Sequence, residues 1–418
     1  MKYNRILLII IFTTFFNSAS GQALRVDFVL TGNKQAQQAT IVNLFKVPVY
    51  SGGEKQNIPS FDYGTYRIIV IRQTSNDTLF IKGFCTLFEE WQTTKEASKI
   101  SRAFKQTVEI PFPNQSVNLI IQHRQRNGSF STLISEPFSP MGNRDITPIV
   151  PAKYPFKILH GVDSPPHKAD ILIIAEGYTK DEQNDFFADA DTISEYLLSK
   201  SPYNKLKDKI TIRALALPSA QSGTDDPKKN IWKDTPLNSS FNTFGTDRYL
   251  ETLDTWAVFD YAAALPHDHI VVLANTNKYG GGGVYNHFSI ASARHETSPQ
   301  VFVHELGHGL AGLADEYYYS ETSFTEFFDP DTEPWEPNLT TLVNFNTKWK
   351  NLVPDSVPIP TPEKAEYKNV TGVFEGGGYA AKGIYRPAVN CWMKSNEADG
   401  FCEVCKQTIE KIINFYAQ

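Results

Sequence analysis

Two histidines four residues apart, in His304-Glu305-Leu306-Gly307-His308, constrain this chain more than any other feature. At that spacing an α-helix projects both imidazoles from one face, one turn apart, where a single metal ion can meet them. The surrounding residues suit a helix. Val301, Phe302 and Val303 supply an apolar stretch, Ser298 can cap the start, and Pro299 can take the first helical position. Glu305 lies beside the pair, where its carboxylate can take a proton from a water made acidic by the metal. A catalytic zinc ordinarily has three protein ligands and one open position, so a third must be found. On a continuous helix a residue eleven positions beyond His304 would sit about 16 Å along the axis, out of reach. The helix therefore has to stop. Gly309 and Gly312 give the backbone freedom to turn the chain back, bringing Asp315, or its neighbour Glu316, to the metal.

The rest of the chain divides by style. Lys2 and Arg5 precede an apolar run from Ile6 to Phe16 and the small residues Ser18-Ala19-Ser20-Gly21. This is the order of a signal peptide, expected over residues 1–21, and the run is short for a membrane anchor. No Cys follows it to accept a lipid, so the mature protein is expected in the periplasm or the medium, without a transmembrane segment. Residues 22–145 read as short alternating strands punctuated by turns such as Arg126-Asn127-Gly128, which predicts an all-β sandwich. No chemical constellation stands out there; His123 and Trp91 read as packing or surface residues. Prolines at 148, 151 and 155 mark a linker over 146–155. From 156 to 418, continuous apolar strands at Ala169–Ala175 and His269–Ala274 alternate with helical segments such as Asp181–Ser199, predicting an α/β domain with a mainly parallel sheet.

A formal net charge of −6 and the lack of any Lys/Arg tract with interleaved aromatics argue against a nucleic-acid partner. Four Cys are too few for a disulfide scaffold. Cys391, Cys402 and Cys405 cluster and permit one local disulfide or plain thiols; a second zinc would need a fourth ligand that the nearby sequence does not offer. Asp225-Asp226 and Asp329/Asp331 are oxygen-rich loops where calcium is conceivable, but solvated turns are the simpler reading. His267-x-His269 can pair on a strand, though with no carboxylate motif beside it.

His304-Glu305-x-x-His308 with Gly312 and Asp315 resembles a metzincin zinc motif lengthened by one residue, with Asp for the last His. With Leu313-Ala314-Asp315-Glu316-Tyr317 it resembles the bacterial IgA-peptidase family of metallopeptidases (metallopeptidase family 64). Glu176-Gly177-Tyr178-Thr179, Ser222-Gly223-Thr224-Asp225, Tyr279-Gly280-Gly281-Gly282-Gly283 and Phe374-Glu375-Gly376-Gly377-Gly378-Tyr379 also match that family. The resemblance covers most of residues 155–418. It implies a metzincin-like zinc peptidase domain with one catalytic zinc, and a methionine turn beneath the metal that Met393 in Asn390-Cys391-Trp392-Met393 fits. The ten-after position, Ala314, cannot bind a metal. The expected activity is hydrolysis of internal peptide bonds in a protein or peptide substrate, with Glu305 as general base. Tyr317, Tyr318 or Tyr379 can donate to the oxyanion. Gly281 and Gly282 read equally as a strand edge for an extended peptide or as a flexible loop. The same residues would serve a zinc amidase acting on cell-wall peptide. A surface-binding protein with a structural zinc site is the reading from another class, and the intact Glu305 argues against it.

Overall fold

The computed structural model describes residues 21–52, 57–142, 146–162, 167–318 and 327–418; the expected signal peptide lies outside them apart from Gly21. Among the described residues no helix is long and apolar enough to cross a membrane.

The N-terminal unit is built from strands β1 (Ala23–Gly32), β2 (Gln37–Val47), β3 (Tyr66–Arg72) and β4 (Thr78–Phe84), a short helix α1 (Leu87–Gln92), then β5 (Arg102–Pro111), β6 (Val117–Arg124), β7 (Phe130–Phe138) and β8 (Thr147–Pro148). They form two four-stranded sheets, in the orders β5-β1-β2-β8 and β4-β3-β6-β7. Alternate residues Leu24, Val26, Phe28 and Leu30 of β1 join Tyr66, Ile68 and Val70 of β3, and Leu119 and Ile121 of β6, in one buried cluster. Trp91 belongs to this core, and His123 lies against the Tyr66 ring at 4.8 Å. The expected linker is partly structured: Thr147 and Pro148 pair in parallel with Phe45 and Lys46 of β2.

The other face of β1 is buried too, which alternation alone does not announce. Arg25 and Asp27 are almost wholly buried and joined by two hydrogen bonds of 2.8 Å. Arg25 also reaches Asp260 at 2.6 Å and the Trp256 carbonyl at 3.3 Å, both on the second unit. Replacing Arg25 by Met would strand the Asp27 carboxylate beside its remaining donor, Thr107. A loss of about 3 kcal/mol in denaturant unfolding is expected, since one partner of a buried pair is removed without the other; restoration by a second change, Asp27→Leu, is the check.

The second unit centres on a six-stranded sheet, ordered β13-β14-β12-β10-β11-β9. Its strands are β9 (Phe156–His160), β10 (Ala169–Glu176), β11 (Ile210–Leu215), β12 (His269–Ala274), β13 (Gly281–Gly283) and β14 (Ser289–Ser292). The four inner strands run parallel, while β9 and β13 are antiparallel edges. Every residue of β10, β11 and β12 is buried, as expected for parallel strands covered on both faces. Helices α2 (Gln183–Ser199), α3 (Thr255–Ala262), α4 (Ser298–Ala311) and α5 (Glu403–Tyr416) surround it; α4 packs on β12, β13 and β14 and against α2 and α5. A hairpin, β15 (Phe374–Gly377) and β16 (Ala380–Arg386), completes the unit.

The two units share an extensive boundary. His267 faces Glu109 of β5 at 3.3 Å, so the carboxylate missing from its own sequence neighbourhood comes from the other unit. Cys85 N donates to the Tyr285 carbonyl at 2.9 Å, and Asn286 Nδ2 donates to the Gly83 carbonyl at 2.8 Å.

Candidate metal centre

Helix α4 carries His304, Glu305 and His308 and ends where the glycine pattern requires. Gly312 takes the left-handed conformation, φ 66°, with its N–H bonded to the His308 carbonyl at 3.0 Å. The start differs slightly from expectation: the helix begins at Ser298, whose hydroxyl accepts from His295 N rather than from the first turn.

The reversed chain delivers Asp315 back to the two histidines. Asp315 Oδ1 lies 3.2 Å from His304 Nε2 and 3.3 Å from His308 Nε2, and the two Nε2 atoms are 3.0 Å apart. Trp392 O, 2.9 Å from His304 Nδ1, and Leu313 O, 2.6 Å from His308 Nδ1, are carbonyl acceptors that fix Nδ1 as the protonated nitrogen of each neutral ring. Two Nε2 lone pairs and a buried carboxylate oxygen then face one point, which only a cation or extra protons can satisfy. Bonds of about 2.0–2.2 Å to one tetrahedral ion would separate such atoms by about 3.3 Å. The donor set thus fits a divalent metal in kind and in spacing. Tyr379 donates its hydroxyl to the other oxygen, Asp315 Oδ2, which orients the carboxylate.

Glu316 does not share this point. Its backbone N–H bonds to the Met393 carbonyl at 2.7 Å, while its carboxylate turns away toward Cys391, Cys402 and Cys405. All four cysteines are free thiols, one of the two arrangements the spacing permits; the fourth potential ligand that the nearby sequence lacked is Glu316, brought from 75 or more positions upstream by the turn after α4. Met393 is fully buried, with its sulfur against the α4 backbone: a Cβ added at Gly307 would come within 2.9 Å of Sδ. It packs against Gly307 of α4.

The glycine run fills a different need from a loose loop. Gly281 is bridged by Leu250 N, so the outer edge of β13 is partly covered there. A Cβ at Gly281 would meet Glu305 Oε1 at 2.8 Å, and one at Gly282 would meet Glu251 Oε1 at 2.2 Å. Both glycines form part of the cleft wall, allowing β13 to lie directly on Glu305 and Glu251. Tyr317 and Tyr379 stack edge to face at 5.4 Å in the cleft, and burial, with the Asp315 charge, keeps both hydroxyls protonated well above their usual range. Tyr318 instead faces Arg386, outside the cleft.

The cleft has a volume of about 620 Å³ and is lined by both units, with Glu89 and Glu90 of α1 as well as Arg248, Tyr249 and Trp335 in its wall. The N-terminal unit therefore does bring chemistry to the site, against expectation. Glu90 accepts from the Tyr249 hydroxyl at 2.5 Å. No motif marks this pair because its members lie 159 positions apart. Two of the matching motifs serve the scaffold instead. Glu176 is buried and accepts from Thr235, Leu237 N and Ser239 N, while Gly177 O accepts from Gly223 N at 2.9 Å. Of the oxygen-rich loops, Asp226 is engaged by Lys278 at 3.0 Å and Lys229 at 3.4 Å, and Asp329 accepts from the backbone of Asp331.

The electrostatics of the metal-free centre follow from its crowding. Burial works against the His308 imidazolium, but the Asp315 carboxylate outweighs it and lifts His308 from 6.5 to about 9. Burial raises Asp315, yet the two histidines hold it well below the usual carboxylate range. Glu305 is raised, chiefly by burial, toward the range useful to a base. A raised histidine stabilises the metal-free fold fully below pH 6.5 and loses that contribution as the pH climbs through about 9. A metal must displace the same proton, so its apparent affinity is expected to rise about tenfold per pH unit up to about 9. Melting curves with and without zinc should separate progressively across that window; a constant separation would contradict the shared proton.

Two histidines and an aspartate converge beside Glu305 in a cleft lined by both units, the donor set that a metallopeptidase would use. The profile described as IgA Peptidase M64 matches residues 157–370 and 363–413, and that described as Peptidase M64 N-terminus matches residues 12–135. The chain belongs to the IgA peptidase M64 family. It is thus a two-domain peptidase of that family, with protein or peptide chains as its substrate class. No curated protein matches the chain.

Proposed function

We propose that this protein is an exported zinc-dependent metalloendopeptidase, with His304, His308 and Asp315 as ligands and Glu305 as general base. The convergence of two Nε2 lone pairs and Asp315 Oδ1 on one point carries the reading. A zinc ion there supplies Lewis acidity, polarising the scissile carbonyl and acidifying water. Glu305 accepts a proton from the attacking water at its carboxylate and returns it to the leaving amide nitrogen. Tyr317, kept protonated by burial and the Asp315 charge, donates to the developing oxyanion. Tyr379 acts one step back by orienting Asp315, and Met393 supports α4 from below.

The finer architecture belongs to the same proposal. Two sheets around one core support a β-sandwich over 22–145, followed by a metzincin-like catalytic domain over 156–418. The charged, apolar and small-residue order of residues 1–21 supports secretion or periplasmic delivery. The test compares metal content and peptide-library cleavage in the full mature chain and its His304→Ala variant. Loss of one zinc equivalent together with cleavage at internal bonds is expected. Undiminished cleavage by the variant would overturn the assignment.

A further inference from the structure

The side chains of Glu316, Cys391, Cys402 and Cys405 bring one ligand atom each to within 4.8 Å of one another. They come from three separate places: the reversal after α4, the turn that holds Met393, and the start of α5. Cys391 Sγ and Cys405 Sγ are 3.8 Å apart; Glu316 Oε1 is 3.3 Å from Cys405 Sγ and 4.0 Å from Cys402 Sγ. Zinc bonds of about 2.3 Å to sulfur and about 2.1 Å to oxygen imply tetrahedral edges of about 3.8 Å between sulfurs and about 3.6 Å between sulfur and oxygen. The observed separations bracket those values. Glu316 is wholly buried, and its Oε2 has no hydrogen-bond partner among the described residues. Asn338 Nδ2 donates to Oε1 at 3.0 Å, holding the carboxylate toward the sulfurs.

We propose that these four residues bind a second divalent ion, with zinc the best match to three thiolates and a carboxylate. On binding, the thiol protons leave to solvent. With four protein ligands the site is closed to substrate, and its role is structural. It ties Glu316, next in sequence to Asp315, to the Met393 turn and to α5. This site does not depend on the catalytic reading, and its test keeps the two apart.

The experiment uses the full chain carrying His304→Ala, purified with zinc and with cobalt. One zinc equivalent is expected to remain, and the cobalt form should show thiolate-to-cobalt charge-transfer absorption in the near ultraviolet. Adding Cys402→Ser should abolish the absorption. If that double variant does not fold, the band in the single variant and its loss on stoichiometric thiol titration decide the matter. A His304→Ala chain that binds no metal, or a cobalt form without a thiolate band, would overturn the proposal. So would an intact mass two hydrogens below that of the reduced chain, which would reveal a disulfide. Should His304→Ala retain as much metal as the parent chain and still show the band, the sulfur site stands and the His304 assignment fails.

Discussion

Glu305→Gln is expected to keep the metal content and melting temperature of the parent chain while turnover falls by at least about 10²-fold and up to about 10⁴-fold. The amide preserves the size of the side chain, and Gly281 still allows β13 to lie against it. What it removes is the carboxylate that accepts and returns the proton. Because the loss belongs to the chemical step, kcat should carry it with KM little changed. Ordinary turnover in this variant would exclude Glu305 as the base, whatever the metal.

Asp315→Ala should weaken metal binding sharply. Spread over four ligands, an apparent zinc-binding energy of about 10–16 kcal/mol assigns about 3 kcal/mol to each, or about 10²-fold in affinity. The true loss should exceed this, because Tyr379 also forfeits its acceptor. Competition with a graded chelator would measure it. Glu316→Ala, one residue away, should leave the affinity of the histidine site within about tenfold, because its carboxylate faces the cysteines. Equal losses in the two variants would mean that the reversal after α4 delivers its ligands differently.

Much of the histidine site was legible because its residues lie close together in the sequence. Spacing placed His304 and His308 on one helical face, and Gly312 announced the turn that returns Asp315. The family resemblance favoured Asp315 over Glu316, and the structure adds the physical reason, since adjacent residues in an extended segment point to opposite sides. The buried strands β10 and β12 were visible as apolar runs, whereas β13, three glycines long, offers no side-chain pattern at all. Glu90 with Tyr249, His267 with Glu109, and Glu316 with the cysteines escaped notice for a common reason. Each pairing joins distant segments, and no local periodicity encodes which distant residue will arrive.

The two-faced burial of β1 bears on how this protein can be cut or recombined. A chain starting at residue 156 would uncover the Asp260 and Trp256 contacts of Arg25 and would lack α1, which forms one bank of the cleft. The N-terminal unit is therefore not a detachable handle on a self-sufficient enzyme. Exchanging it between relatives would exchange Thr65, Cys85, Thr86, Glu89 and Glu90 of the cleft lining, so a part of the selectivity should travel with the donor of the N-terminal unit.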